Sequence, residues 1–336
     1  MDIAKPYLLF LGDVQDQLAA KTAQGIVDWR PEWCVGQLRL PGCKAGTGLP
    51  DITIAEALAK GARTMVVGVV NAGGVLPDHW VAEIVTALEM GLDVATGLHK
   101  RLGSIQAIAE AAITHGRKLH DVRYTDMTFA TGKGTKRQGK RILTVGTDCS
   151  VGKKYTSLAL EREMHKQGLS ADFRATGQTG VLISGRGLAL DAVVADFIAG
   201  AAEWLTPEND PNHWDVVEGQ GSLFHPSFAG VTLGLLHGAQ PDCFVVCHEP
   251  TRATMRGVKH PLPSIQQVID RTILEGQLTN PAIACVGIAI NTEHLAEEVA
   301  LAYLKETGEA HGLPCCDPIR TGVTPIVDEV VRRYGR

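Results

Sequence analysis

The sequence lacks the features of several classes of protein. Its eight cysteines form no Cys-x-x-Cys pair and no Cys/His pattern with the spacing of zinc ligands. No apolar stretch is long enough to span a membrane, and residues 1–10 lack the basic start, apolar run and cleavage site of a secretory signal. We therefore expect a cytoplasmic protein with reduced cysteines, no metal centre and no membrane partner.

The sequence also lacks an excess of basic charge. The formal net charge of its 336 residues is -5, so we expect no nucleic-acid partner, because binding through phosphate contacts needs a basic surface. Apolar residues make up 45% and charged residues 21%, which is typical of a soluble globular protein. The length is sufficient for two domains that each bury a core. Homo-oligomerisation is expected on general grounds alone.

Apolar segments alternate with amphipathic helical patterns along the first third of the chain. The predicted strands are residues 7–11, 33–38, 64–70, 92–95 and 121–124. A helix is predicted at Asp78–Met90, where Pro77 precedes it and Gly91 ends it. This alternation predicts a parallel sheet with crossover helices over residues 1–124.

A second α/β domain is predicted over residues 141–336, after a basic, glycine-containing linker at 125–140. Its predicted strands are residues 141–145, 171–174, 214–218, 243–248 and 282–290, and a helix is predicted at 153–167. The fold class is therefore α/β, with two consecutive three-layer domains and mostly parallel sheets. We expect the basic side chains of the linker to be solvated, with contact to a phosphate as the second interpretation.

The strongest motif is a glycine-bounded loop between the strand 141–145 and the following helix. The loop consists of Gly146, Thr147, Asp148, Cys149, Ser150, Val151, Gly152, Lys153 and Lys154. Backbone N–H groups of such a loop, the start of the helix and a lysine together favour a bound phosphate. The strand–loop–helix context is the one that a phosphate-binding loop requires, so the second domain is predicted to be of the P-loop type.

This loop departs from the common pattern at two positions. Five residues instead of four separate Gly146 from Gly152, a spacing that resembles the loop of dethiobiotin synthetase. The residue after Lys153 is Lys154, where a Ser or Thr hydroxyl would normally bind magnesium. Two lysines without that hydroxyl suit a phosphorylated ligand held by charge, such as coenzyme A. Magnesium-ATP-dependent ligase or kinase chemistry on a small carboxylate is the alternative.

A wider set of segments resembles the D-glutamate N-acetyltransferase (DgcN) family over nearly the whole chain. The set comprises Lys21–Ala23, Gly97–His99, Asp121–Arg123, the loop, Ala175–Gly180, Asp191–Glu203, Glu218–Pro226 and His237–Asp242. The resemblance implies a Rossmann-like N-terminal half and a dethiobiotin-synthetase-like P-loop C-terminal half. It also implies transfer of acetyl from acetyl-CoA to the amino group of D-glutamate. We expect no metal.

That reaction needs a base for the substrate ammonium and cations for two carboxylates. For the base we favour Glu218, which follows an apolar strand where parallel sheets form their ligand crevice; Asp191, Asp196 and His225 are the alternatives. The candidates for substrate binding are Arg174, Thr176, Gln178, Thr179, Arg252, Arg320 and Arg39.

Cys149 is a further candidate, because a helix start and two lysines would lower the pKa of its thiol. An acetyl-cysteine intermediate is therefore conceivable, although a packing role for this small side chain is the favoured interpretation. A nicotinamide enzyme is disfavoured, since no Gly-x-Gly-x-x-Gly follows the first strand.

Overall fold

The computed structural model describes residues 2–69 and 76–335. The chain forms two compact units. The first unit combines Met1–Asp126 with Gly177–Ala192, and the second combines Met127–Thr176 with Val193–Arg336. The chain therefore passes from one unit to the other three times.

The first unit contains a five-stranded parallel sheet. Its strands are β1 (Tyr7–Gly12), β2 (Cys34–Arg39), β3 (Thr64–Val67), β4 (Asp93–Thr96) and β5 (Leu119–Asp121), in the order β2-β1-β3-β4-β5. Its helices are α1 (Lys21–Trp29), α2 (Ile54–Ala59), α3 (Asp78–Glu89), α4 (Gln106–Thr114) and α6 (Gln178–Ser184). All six residues of β1 are buried, as expected for a parallel strand with helices on both faces of its sheet.

The second unit contains a six-stranded parallel sheet. Its strands are β6 (Lys140–Gly146), β7 (Ala171–Arg174), β8 (Trp214–Val217), β9 (Cys243–His248), β10 (Ala284–Ile290) and β11 (Cys315–Cys316), in the order β11-β10-β9-β6-β8-β7. Its helices are α5 (Lys153–Lys166), α7 (Ile198–Leu205), α8 (Ala229–Ala239), α9 (Ile265–Gly276), α10 (Glu297–His311) and α11 (Thr324–Tyr334). Strand β6 lies inside the sheet, so the loop that follows it has β8 and β9 on its two sides.

The predicted α/β fold class is confirmed, and most predicted strands agree with the observed ones within a few residues. The strand predicted at 121–124 is wrong, because β5 ends at Asp121 and a turn follows. Of the strand predicted at 64–70, β3 covers 64–67, and residue 70 lies outside the described residues. Among the described residues no helix has both the length and the apolarity to cross a membrane.

The observed units differ from the predicted division at 1–124, 125–140 and 141–336 in two respects. Residues 177–192 belong to the first unit, where the N–H of Ile3 donates to the carbonyl of Gly185 (2.7 Å). Most of the predicted linker belongs to the second unit and is not simply solvated. Within it, Lys136 Nζ lies 2.7 Å from Asp242 Oδ1, and Arg137 donates to the carbonyl of Gly238 (2.8 Å).

Candidate functional site

The loop between β6 and α5 has a backbone that its glycines permit. Gly152 has φ +103°, in the left-handed region that side chains disfavour. A Cβ on Gly146 would lie 2.7 Å from Val151 Cγ2 and 3.1 Å from the carbonyl oxygen of Cys247, so a larger residue would not fit without displacement. Ser150 is left-handed as well, with φ +55°. These turns bring the loop back to the start of α5, where the helix dipole favours an anion.

Lys153 places its positive charge inside this loop. The residue is buried, and its Nζ donates to the carbonyl oxygen of Asp148 at 2.7 Å. Burial lowers the pKa of Lys153 below its ordinary value, because loss of hydration penalises the ammonium form. Lys154 is half-buried, with its Nζ 4.6 Å from the centroid of the Tyr155 ring. Two lysines therefore begin α5.

Asp148 fastens the loop to the segment after β9. Its side chain is fully buried, and Oδ2 accepts hydrogen bonds from Arg252 Nη1 (3.2 Å) and from the backbone N–H of Arg256 (2.7 Å). Arg252 also donates to the carbonyl oxygens of Cys149 (2.8 Å) and Ser150 (2.6 Å). Arg252 thus lies at the loop, where it bonds to two backbone carbonyls and to the side chain of Asp148.

His225 joins the same network. Its Nδ1 accepts from the backbone N–H of Ser227 (3.2 Å), so the proton lies on Nε2, which donates to the carbonyl oxygen of Arg256 (3.0 Å). Nε2 therefore holds the segment around Arg256, while Nδ1 supports the turn that contains His225 itself. Potential metal-ligand atoms of Asp148, Cys149 and His225 lie within 4.8 Å of one another, but Nε2 cannot bind a metal while it carries this proton.

The environment of Cys149 differs from the expectation. Burial raises the pKa of its thiol above the ordinary value, and the nearby Lys153, Arg252 and Arg256 oppose this effect only in part. The expectation of a lowered pKa is therefore wrong. Loss of hydration outweighs the positive charges at this half-buried side chain.

Glu218 lies directly after β8 and close to Lys153. It is buried, and its Oε2 accepts a hydrogen bond from the backbone N–H of Thr176 (3.0 Å). The hydroxyl of Thr176 donates in return to the carbonyl oxygen of Glu218 (2.6 Å). A Cβ on Gly219 would lie 1.7 Å from the carbonyl oxygen of Thr144 and 2.9 Å from Lys153 Cδ, so only glycine allows this close packing. The structure thus brings Glu218, Thr176 and Lys153 together.

The other predicted arginines are engaged elsewhere. Arg174 Nε lies 2.7 Å from Oδ1 of the buried Asp215. Arg320 Nε donates to Thr292 Oγ1 at 3.1 Å, and Arg39, in the first unit, forms a bidentate pair with Asp51. In this structure each of these guanidinium groups has an internal partner.

The remaining predicted residues are divided between the units. Asp191 belongs to the first unit, where it pairs with Arg123 (3.2 Å), whereas Asp196 is exposed in the second unit. The two carboxylates lie in separate short 3-10 turns. Gln178 and Thr179 begin α6 in the first unit, while Thr176 belongs to the second.

Two residues at the loop were not among the predicted site residues. His248 Nδ1 lies 2.9 Å from Thr147 Oγ1, and its position at the end of a predicted strand was a usable signal. Arg256 Nη1 donates to Ser150 Oγ at 2.5 Å, and no local pattern marked this residue.

Comparison with known proteins agrees with the two-domain fold. Residues 128–327 match the P-loop domain, and residues 38–125 the Rossmann-like domain, of the domain of unknown function DUF1611. A crystal structure of a DUF1611 family protein from Anabaena variabilis is similar with a TM-score of 0.80 and 31% identity, over 98% of this chain and 99% of that one.

Two full-length relatives are more similar in sequence. A protein from Tritonibacter scottomollicae is 53% identical over 97% of this chain and 98% of its own length, and one from a Pseudoalteromonas species is 51% identical over 97% and 99%. Both are named D-glutamate N-acetyltransferase, which confirms the resemblance found in the sequence. The chain belongs to the DUF1611 family, with its Rossmann-like and P-loop domains.

Proposed function

We propose that this protein is a D-glutamate N-acetyltransferase that uses acetyl-CoA as the acetyl donor. The observation that carries the proposal is the phosphate-type loop in which Lys153 and Lys154 begin α5 and no hydroxyl follows Lys153. The names of the relatives at 53% and 51% identity support the acetyl transfer and the amino-acid substrate.

The loop fits the phosphates of coenzyme A. The start of its helix carries partial positive charge, and Lys153 and Lys154 supply full positive charges. Arg252 and Arg256, which bond to the loop, add positive charge for the anionic groups of the two substrates. A ligand held in this way needs no magnesium ion to neutralise it.

Glu218 is the proposed base. Acetyl transfer requires that the substrate ammonium lose a proton before its nitrogen attacks the thioester carbonyl. The Glu218 carboxylate is buried beside Lys153, and the Thr176 N–H bonded to Oε2 fixes its orientation. Glu218 takes the first proton and so frees the nitrogen lone pair, and the C–N bond then forms. The nitrogen loses its second proton as the tetrahedral adduct collapses; that proton passes to the sulfur as the C–S bond breaks, and coenzyme A departs as the thiol.

The test is thiol release from acetyl-CoA with D-glutamate or L-glutamate, with and without ATP and magnesium. We expect release with D-glutamate and no need for ATP. In Glu218→Gln we expect kcat to fall by about 10²-fold or more, the usual contribution of a general base. In Lys153→Ala we expect KM for acetyl-CoA to rise by about tenfold, since one charged contact to phosphate is lost.

Lys166→Ala is the matched control, because Lys166 lies at the exposed far end of the same helix. It should behave like the wild type. Phosphate production from ATP, with no thiol release under any condition, would favour the ligase or kinase alternative.

A further inference from the structure

A cleft of about 340 Å³ lies in the second unit, next to the loop. Its lining includes Phe224, Pro226, Met255, Pro261, Leu262 and Gln267. The volume of the cleft falls at the lower end of the range for clefts that hold small organic ligands. A mainly apolar lining with a few polar groups is also typical of such clefts.

Two residues that adjoin the lining in sequence connect the cleft to the loop. His225 lies between the lining residues Phe224 and Pro226, and its Nε2 is 4.0 Å from Asp148 Oδ1. Arg256 follows the lining residue Met255, and its backbone N–H donates to Asp148 Oδ2. One wall of the cleft is therefore hydrogen-bonded to the phosphate-type loop through Arg256, and His225 of the other wall lies next to the same loop.

A ligand that occupies both features must be anionic at one end and largely apolar at the other. We propose that the cleft holds the pantetheine arm of the acetyl donor while the loop holds its phosphates; this inference rests on the proposed function. The arm carries two methyl groups suited to Leu262 and the prolines, and amides suited to a polar side chain.

Gln267 supplies that polar group. Its Oε1 accepts from the backbone N–H of Ser264 (2.8 Å) at the start of α9, so its NH₂ is the half that remains to donate to an amide carbonyl. A glutamate keeps the capping acceptor and lacks the NH₂ donor, which allows the two roles to be separated.

The experiment is calorimetric binding of coenzyme A and of adenosine 3′,5′-bisphosphate, which has phosphates but no arm. In Leu262→Trp, which fills the cleft, we expect coenzyme A to bind at least about tenfold more weakly and the bisphosphate to bind as in the wild type. In Gln267→Glu we expect the affinity for coenzyme A to fall by a smaller factor and the affinity for the bisphosphate to stay as in the wild type. Lys153→Ala should weaken the binding of both ligands.

Leu278→Trp is the matched control, because Leu278 is 73% exposed in the same unit and does not line the cleft. Unchanged coenzyme A affinity in both Leu262→Trp and Gln267→Glu would overturn the pantetheine site and leave the acetyltransferase proposal intact. Failure of the wild type to bind either ligand would instead overturn both.

Discussion

At Cys149, burial and positive charge act in opposite directions on one thiol. The net effect is a raised pKa, because desolvation is larger than the attraction of Lys153, Arg252 and Arg256 for a thiolate. Only the thiolate is a good nucleophile, so a raised pKa leaves this side chain mostly as the unreactive thiol near neutral pH.

We therefore expect iodoacetamide to label Cys149 with a pH midpoint above that of a free thiol, which is about 8.5. The labelling rate, normalised to its own plateau, should be low at neutral pH and rise only in more alkaline solution. Mass spectrometry of the Cys149 peptide over a pH series measures it. A midpoint below that of free cysteine would show that the surrounding cations dominate.

Among the residues of the site, the arginines had the least predictable roles. Arg252 bonds to residues about a hundred positions earlier in the chain, and Arg174 pairs with Asp215 on a neighbouring strand. Such partners are brought together by the fold, so no local sequence pattern reveals them. The loop itself was predictable because strand, glycines and lysines all lie within a dozen consecutive residues.

Among the elements, those with continuous apolar runs were predictable. Buried parallel strands such as β1 and β9 have such runs, because both faces of the sheet are covered. Strand β5 contains Leu119, His120 and Asp121, and β11 has two residues, so neither carries this signal. The return of residues 177–192 to the first unit was also unpredictable, since it depends on tertiary packing.

Helices α7 and α8 approach closely at a glycine, and this approach carries a prediction. A Cβ on Gly238 would lie 2.1 Å from the carbonyl oxygen of Ala199, whereas a Cβ on Gly230 of the same helix would meet nothing within 4 Å. We expect Gly238→Ala to lower the free energy of unfolding by about 1–3 kcal/mol through overpacking.

Gly230→Ala is the matched substitution, and it should raise the free energy of unfolding by up to about 0.5–1 kcal/mol, because alanine favours a helix. Urea denaturation of both variants measures the difference. Equal effects of the two substitutions would contradict the close approach of the two helices.

For the whole molecule, the two units predict two patterns of hydrogen exchange. Helix α6 packs against α1, and a Cβ on Gly97 would lie 3.2 Å from Gln178 Cγ, so α6 is held by the first unit. Under increasing sub-denaturing urea we expect the amides of α6 to open together with those of α1 and β1.

Amides of β7, a few residues before α6 in sequence, provide the internal control. They should open with β8 and β6, because β7 belongs to the second sheet. Native-state exchange followed by mass spectrometry measures both groups of amides. Opening of α6 in step with β7 would contradict the division into units.

The return of residues 177–192 to the first unit also constrains the order of events during synthesis. A ribosome releases the N-terminal end first, yet the first unit cannot complete its packing until residue 192 has emerged. By then β6, the loop, α5 and β7 of the second unit have already been made. The nascent first unit therefore stays incompletely packed while the ribosome synthesises the first quarter of the second unit, which separates the two parts of the first unit in sequence.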